Sequence, residues 1–160
     1  MAQPLGSVIR VGLISDTHGL LRPEALAALE GVSHIVHAGD IGTAEILTQL
    51  GALAPVTAVR GNNDKDTWAR GIAEHEVVAI GGKSIYVLHD LKELDLDPAA
   101  SGFAVVVTGH SHKPLITTRD GVLYVNPGSA GPRRFKLPIS VAMLEIDGEA
   151  IHAEIRELRL

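Results

Sequence analysis

The stretch VIRVGLISDTHG, residues 8–19, is apolar for most of Val8 to Ser15 and then breaks into Asp16-Thr17-His18. Its poor hydrophobic alternation predicts a β-strand buried on both faces, as in a parallel sheet covered by helices. The residues that follow support this. Arg22-Pro23 opens a helix over Pro23 to Glu30, with proline near the first helical position. His34-Ile35-Val36-His37 is a second short strand, ended by Ala38-Gly39-Asp40. Thr43 reads as the N-cap of a helix to Leu50, with Gly51 as its stop. Val56 to Arg60 is a third strand, ended by Gly61-Asn62-Asn63-Asp64. The pattern is β-α-β-α-β, which implies a parallel sheet.

The second half is rich in strands. Glu76–Ile80 and Ser84–Leu88 form a hairpin about Gly81-Gly82. Val105–Val107 is a short buried strand. Ile116–Arg119 with Val122–Val125 turns at Asp120-Gly121, and Ile139–Ile146 with Glu149–Glu157 turns at Asp147-Gly148. No repeat, low-complexity tract or linker interrupts the chain. The expectation is one α/β domain over residues 1–160, with two packed sheets and outer helices.

Composition narrows the chemistry. The 160 residues are 46% hydrophobic and 21% charged, and cysteine is absent. Any metal must therefore be held by carboxylate, imidazole or amide oxygen. A net charge of −5 argues against duplex nucleic acid as a partner. No apolar run reaches the length of a membrane span. Met1 to Ser7 lacks the charged start and apolar block of a signal peptide, so a soluble, cytoplasmic protein is expected. Aromatic residues are only 3%, which makes stacking platforms scarce.

The polar residues gather at strand ends. Asp16 and His18 follow the first strand, Asp40 the second, Asn62 to Asp64 the third. His89 follows Ser84–Leu88, and Gly109-His110-Ser111-His112 follows Val105–Val107. In open α/β sheets ligands bind at the carboxyl ends of strands. Asp16 and His18 are two apart, so in an extended segment they point to one side, and His110 and His112 share that spacing. Glycines 39, 61 and 109 permit close backbone approach. Singly, each has a plainer reading: Asp40 as a turn residue, Asn62 or Asn63 as a left-handed turn residue, His89 as a half-buried imidazole. Five in register point to a metal site. His34, His75 and His152 fit no such pattern and read as surface or packing residues. His37 is expected to point away from Asp40, with a supporting role left open.

The ordered set D-x-H, G-D, G-N-x-D, a lone His and G-H-x-H resembles the calcineurin-like metallophosphoesterase superfamily, in its small single-domain bacterial and archaeal phosphodiesterase branch. Asn126-Pro127-Gly128-Ser129 resembles a turn of that branch. The resemblance spans about residues 8 to 129. It implies a four-layer α/β-β/α sandwich and a phosphoesterase, most simply a phosphodiesterase, with two divalent cations per chain. Mn²⁺ is the first choice, and Fe, Ni²⁺ or Zn²⁺ are compatible with the same ligands. It implies Asp16, His18, Asp40 and His112 around the first ion, and Asp40, Asn62, His89 and His110 around the second, with Asp40 shared. The implied reaction is in-line attack on phosphorus by a metal-bridging hydroxide. Asp16, Asp40, Asn62 and Asp64 are the candidate catalytic residues, Asp64 orienting Asn62 or a ligand histidine.

Two positions depart from the family pattern. Asn63 stands where larger members carry a proton-donating His, which favours good leaving groups or an acid supplied elsewhere. Asp90 stands where many relatives have Gly, and is expected to crowd the site, pair with a cation or alter metal preference. Lys65, Asp66, Trp68, Arg70, Arg133 and Arg134 are candidates for lining the substrate pocket. The expected partner is a small phosphoester, and a homo-oligomer is compatible with the sequence. One rival is a binding module, because the retromer scaffold subunit has this fold with a degraded metal site. Another is a mononuclear oxidoreductase with a facial triad. Seven intact ligand positions favour the phosphoesterase.

Overall fold

The computed structural model describes residues 8–160. The Met1–Ser7 segment, and with it the reading of the N-terminus, lies outside the described residues. Among the described residues ten strands form two sheets. The first holds β1 (Ile9–Ile14), β2 (His34–His37), β3 (Val56–Ala58), β9 (Ser140–Asp147) and β10 (Ala150–Glu157), in the order β10-β9-β1-β2-β3. The second holds β4 (His75–Ile80), β5 (Lys83–Leu88), β6 (Val105–Val107), β7 (Leu115–Arg119) and β8 (Val122–Asn126), in the order β4-β5-β6-β8-β7. In the first, β1, β2 and β3 run parallel. In the second, β5, β6 and β8 run parallel. Parallel pairing brings the carboxyl ends of strands in one sheet to the same edge, which is how separate polar loops come to meet.

β1 shows why its sequence is nearly continuous in apolar residues. Val11 and Leu13 face the second sheet, in a layer with Val36, Val87, Val107 and Leu144. Ile14 faces the other way, among Leu29, Ile35, Ile46, Leu50 and Met143 beneath the helices. Both faces are buried, so both periods of the strand must be apolar. Burying each such aliphatic side chain contributes about 1.5–3 kcal/mol. The helices α1 (Pro23–Ala28) and α2 (Ala44–Gly51) cover this outer face. Thr43 takes the extended backbone of an N-cap, but its side chain makes no capping bond.

The outer face of the second sheet is covered differently from the first. Among the described residues it carries no α-helix. A single 3-10 turn, Leu91–Glu93, leads into a loop whose Leu94, Leu96 and Phe103 pack on Tyr86, Val106 and Val122. The segment alternates Leu with Asp before Pro98, a pattern too short and too interrupted for a helix. The four-layer order holds, with its fourth layer irregular. No described helix is long and apolar enough to cross a membrane.

Candidate metal centre

The expectation that Asp16 with His18, and His110 with His112, share a side through extended backbone is corrected. All four adopt positive φ, at 55°, 47°, 71° and 62°, and Asp40 does so at 54°. Left-handed backbone is sparsely populated by residues with a Cβ and recurs at ligand-binding sites. Among the described residues only two other non-glycine positions do this, Asp120 and Phe135. The chain reverses sharply after β1, β2 and β6, and the reversals, not the alternation of a strand, aim these side chains inward.

Two groups result, each with ligand atoms within 4.8 Å of one another: Asp16, His18 and His112, and Asp40, His89 and His110. Asp16 Oδ1 lies 3.4 Å from His112 Nε2 and 3.8 Å from His18 Nε2. Asp40 Oδ2 lies 3.2 Å from His89 Nε2 and 3.7 Å from His18 Nε2, so it stands between the groups. Asn62 is exposed and lines a cleft of about 320 Å³ together with His89, Asp90 and His110. The structure thus brings six of the seven expected ligands into contact and sets the seventh on the rim of the same cleft.

The site is built to hold charge. Burial alone would raise the Asp16 carboxyl, but the His112 imidazole 3.4 Å away, the nearby His89 and the Ser15 hydroxyl at 2.7 Å hold it below the usual range. Burial likewise opposes Asp40, and His89 with the Asn63 backbone N–H overcomes it. Burial disfavours charge on His89 too, yet the Asp40 and Asp16 carboxylates raise its pKa to about 8. Two buried carboxylates facing imidazoles need positive charge nearby. Asp16 Oδ1 and His18 Nε2 are buried without a hydrogen-bond partner, as unfilled coordination positions would be. This donor set of carboxylate oxygen and imidazole nitrogen fits divalent first-row cations.

A further ring of residues fixes the loops. His89 Nδ1–H donates to Ala38 O at 2.7 Å, which turns Nε2 toward the cluster. His37 is fully buried. Its Nδ1 accepts from Gly39 N at 3.1 Å, so the proton sits on Nε2, which donates to Thr17 Oγ1 at 3.0 Å. Thr17 passes the chain on to Ile41 O at 2.7 Å. Burial pushes the His37 pKa down to about 4, in keeping with a neutral ring that accepts at one nitrogen and donates at the other. His37 therefore ties the Asp16 loop to the Asp40 loop.

Asp64 departs from its expected role. Its carboxylate accepts from Ile41 N, Gly42 N and Gly61 N at 3.0, 3.1 and 2.9 Å. Its bonds go to backbone, not to Asn62 or a histidine, because its side chain is buried beneath the Gly39–Gly42 turn. Asn63 donates to both Asp40 oxygens, through N at 2.9 Å and Nδ2 at 3.1 Å. Asp90 caps the 3-10 turn through Lys92 N and sets Oδ2 3.7 Å from His110 Nε2. It flanks an imidazole and does not fill the cleft.

The Asn126–Ser129 turn matters more than a motif match suggests. Asn126 Nδ2 donates to Gly109 O and Ser111 Oγ at 3.0 and 3.1 Å, and Ser129 Oγ donates to Asp16 O at 3.0 Å. It braces the His110 and Asp16 loops. Of the six residues expected to line a pocket, Arg134 lines the cavity beside His110. Trp68 packs beneath the helices instead, and Arg133 reaches back to Leu137 O at 3.4 Å. Lys92, Lys113, Phe135 and Lys136 line that cavity without a sequence signal.

Comparison with known proteins identifies the family and the fold. The chain is 38% identical over 156 residues to a probable metallophosphoesterase of Methanothermobacter thermautotrophicus, covering 91% of this chain and 90% of that one. It is 28% identical over 139 residues to a phosphodiesterase of Methanocaldococcus jannaschii, covering 75% and 83%. The solved structure of vacuolar protein sorting 29 from Cryptosporidium parvum superposes with a TM-score of 0.81 at 23% identity, covering 95% and 92%, and shows the shared fold. Residues 9–149 match the calcineurin-like phosphoesterase superfamily domain, and the chain belongs to that family.

Proposed function

We propose that this protein is a phosphodiesterase working on a small phosphoester with two divalent cations, Mn²⁺ first among them. The observation that carries the reading is the pair of ligand groups meeting at Asp40. Asp16, His18, Asp40 and His112 would hold one ion, and Asp40, Asn62, His89 and His110 the other. Bound there, the cations supply Lewis acidity and lower the pKa of water.

The chain's own residues do the rest. His37, Asp64 and the Asn126–Ser129 turn hold the ligand loops, and Asn63 keeps both Asp40 oxygens in place. In the reaction an oxygen from water bonds to phosphorus, the ester P–O bond opposite breaks, and the water proton leaves with the alcohol or solvent. Asn63 cannot donate a proton to the departing oxygen, since an amide is not an acid at neutral pH and its N–H groups already face Asp40. Esters with acidic leaving groups should react fastest.

Purified protein with Mn²⁺ should hydrolyse bis(p-nitrophenyl) phosphate. Asp40→Asn should lose bound metal and turnover together, whereas His34→Ala, at a distant contact with Thr57, should keep both. Silence across a panel of metals and esters would end the phosphodiesterase reading.

A further inference from the structure

Beside His110 lies a cavity of about 1360 Å³, much larger than the cleft over the metal ligands. His110 and Asp90 border both spaces, so whatever fills the cavity is continuous with a phosphoryl group at the cluster. Three separate segments supply its walls, around Asp90–Lys92, Gly109–Lys113 and Arg134–Leu137.

Its charge opposes that of the molecule. The chain carries −5 overall, yet Lys92, Lys113, Arg134 and Lys136 line this space against a single acid, Asp90, which already faces His110. Clustered cations on an otherwise acidic protein attract an anion beyond the one at the metals. Phe135 adds a second chemistry. It is 89% exposed, and its φ is 54°. A bulky residue in left-handed backbone is a genuine outlier, and a lone aromatic in water gains nothing from burial. The chain has only two phenylalanines, and the other, Phe103, stacks on Tyr86 at 5.0 Å between centroids. Phe135 instead presents a free ring face at the mouth of a cationic cavity.

We infer that this cavity seats a nucleotidyl arm of the substrate: a phosphodiester carrying a planar base, stacked on Phe135, and a further phosphate among Lys113, Arg134 and Lys136. A stacking ring flanked by cations is the arrangement that binds single-stranded nucleotides without reading their sequence. Leu91 and Leu137 provide apolar wall for the sugar and base edges. An acyl chain would not need four cations, and an inorganic anion would not need the ring.

This inference rests on the phosphodiesterase reading, and kinetics with three p-nitrophenyl esters tests it. The esters are methyl phosphate, thymidine 5′-phosphate, and thymidine 3′,5′-bisphosphate esterified at the 5′ position. kcat/KM should rise in that order for the Mn²⁺-loaded protein. Phe135→Ala should lower the ratio of the thymidine ester to the methyl ester roughly tenfold, the order expected from loss of one stacked base. Lys113→Glu with Lys136→Glu should abolish the gain from the 3′-phosphate. Equal rates for all three esters, or ratios unmoved by these substitutions, would overturn the inference. If no ester is cleaved, the phosphodiesterase reading falls, and calorimetry with thymidine 3′,5′-bisphosphate judges the cavity alone. Binding weakened about tenfold by Phe135→Ala would sustain the seat, and absent or unaltered binding would remove it. Self-association lost in Phe135→Ala would reassign the surface to contact between copies and overturn the inference as well.

Discussion

Replacing His37 with glutamine should flatten the acid limb of the stability curve. In the folded protein burial holds the His37 pKa at about 4. In the unfolded chain an imidazole titrates at about 6.5. A group whose folded pKa is depressed binds its proton preferentially in the unfolded state. Above the unfolded pKa both states are neutral and His37 takes nothing from stability. As pH falls through that window, each unit removes up to about 1.4 kcal/mol. Between about pH 7.5 and about pH 5 the loss comes to roughly 2 kcal/mol. Glutamine keeps an N–H toward Thr17 and cannot titrate. Urea unfolding of chelator-treated wild type and His37→Gln at the two pH values gives the comparison. Asp16, Asp40 and His89 titrate in both proteins, so their contributions largely cancel in the difference. The variant should begin less stable, because it loses the Gly39 N–H acceptor, and then lose less on acidification. Parallel profiles for the two proteins would refute the assignment of a neutral, buried imidazole tying the two loops.

Two further perturbations probe the scaffold of the site. A Cβ on Gly61 would fall on Asp40 Oδ1 and on the Asp40 backbone nitrogen, so Gly61→Ala should weaken Mn²⁺ binding by about tenfold or more in a calorimetric titration. Undiminished affinity would mean that Asp40 can shift without consequence. Asp64→Asn turns an N–H of its amide toward one of three backbone donors, and should lower the unfolding free energy by about 2 kcal/mol. An unmoved urea midpoint would show that the clamp contributes nothing.

The layout of strands and the polar residues standing at their ends were readable because both are local signals. An apolar run closing on Asp16-Thr17-His18 or Gly39-Asp40 states where a strand stops and what stands at its end. The means of convergence was not readable. Asp16, His18, Asp40, His110 and His112 reach the cluster through left-handed backbone, which Asp and His adopt more readily than most residues but still only rarely, so their identity alone does not place it. Spacing suggested an extended pair because two-residue periodicity is the only geometry a short segment displays by itself. His37 and Asp64 carry the same lesson. Each makes its bonds to the backbone of loops remote in sequence, so its role follows from where the loops pack. The cavity wall was hidden for that reason too, being assembled from three segments that meet only in the folded chain. The irregular fourth layer escaped notice because the family resemblance speaks of helices, while Leu94, Leu96 and Phe103 can cover Tyr86 and Val106 without one.

The five ligand-bearing residues in left-handed backbone have a consequence for how cations arrive. Hydrogen bonds made by His37, Asp64 and Ser129 already hold these loops, so an incoming ion should find its ligands largely in place. Capture should be limited by dehydration of the cation more than by movement of the protein. An ion of the wrong radius should then have to displace the main chain as well as the side chains to complete its coordination. Selectivity among metals then resides in the path of the main chain as much as in the chemistry of the side chains it carries.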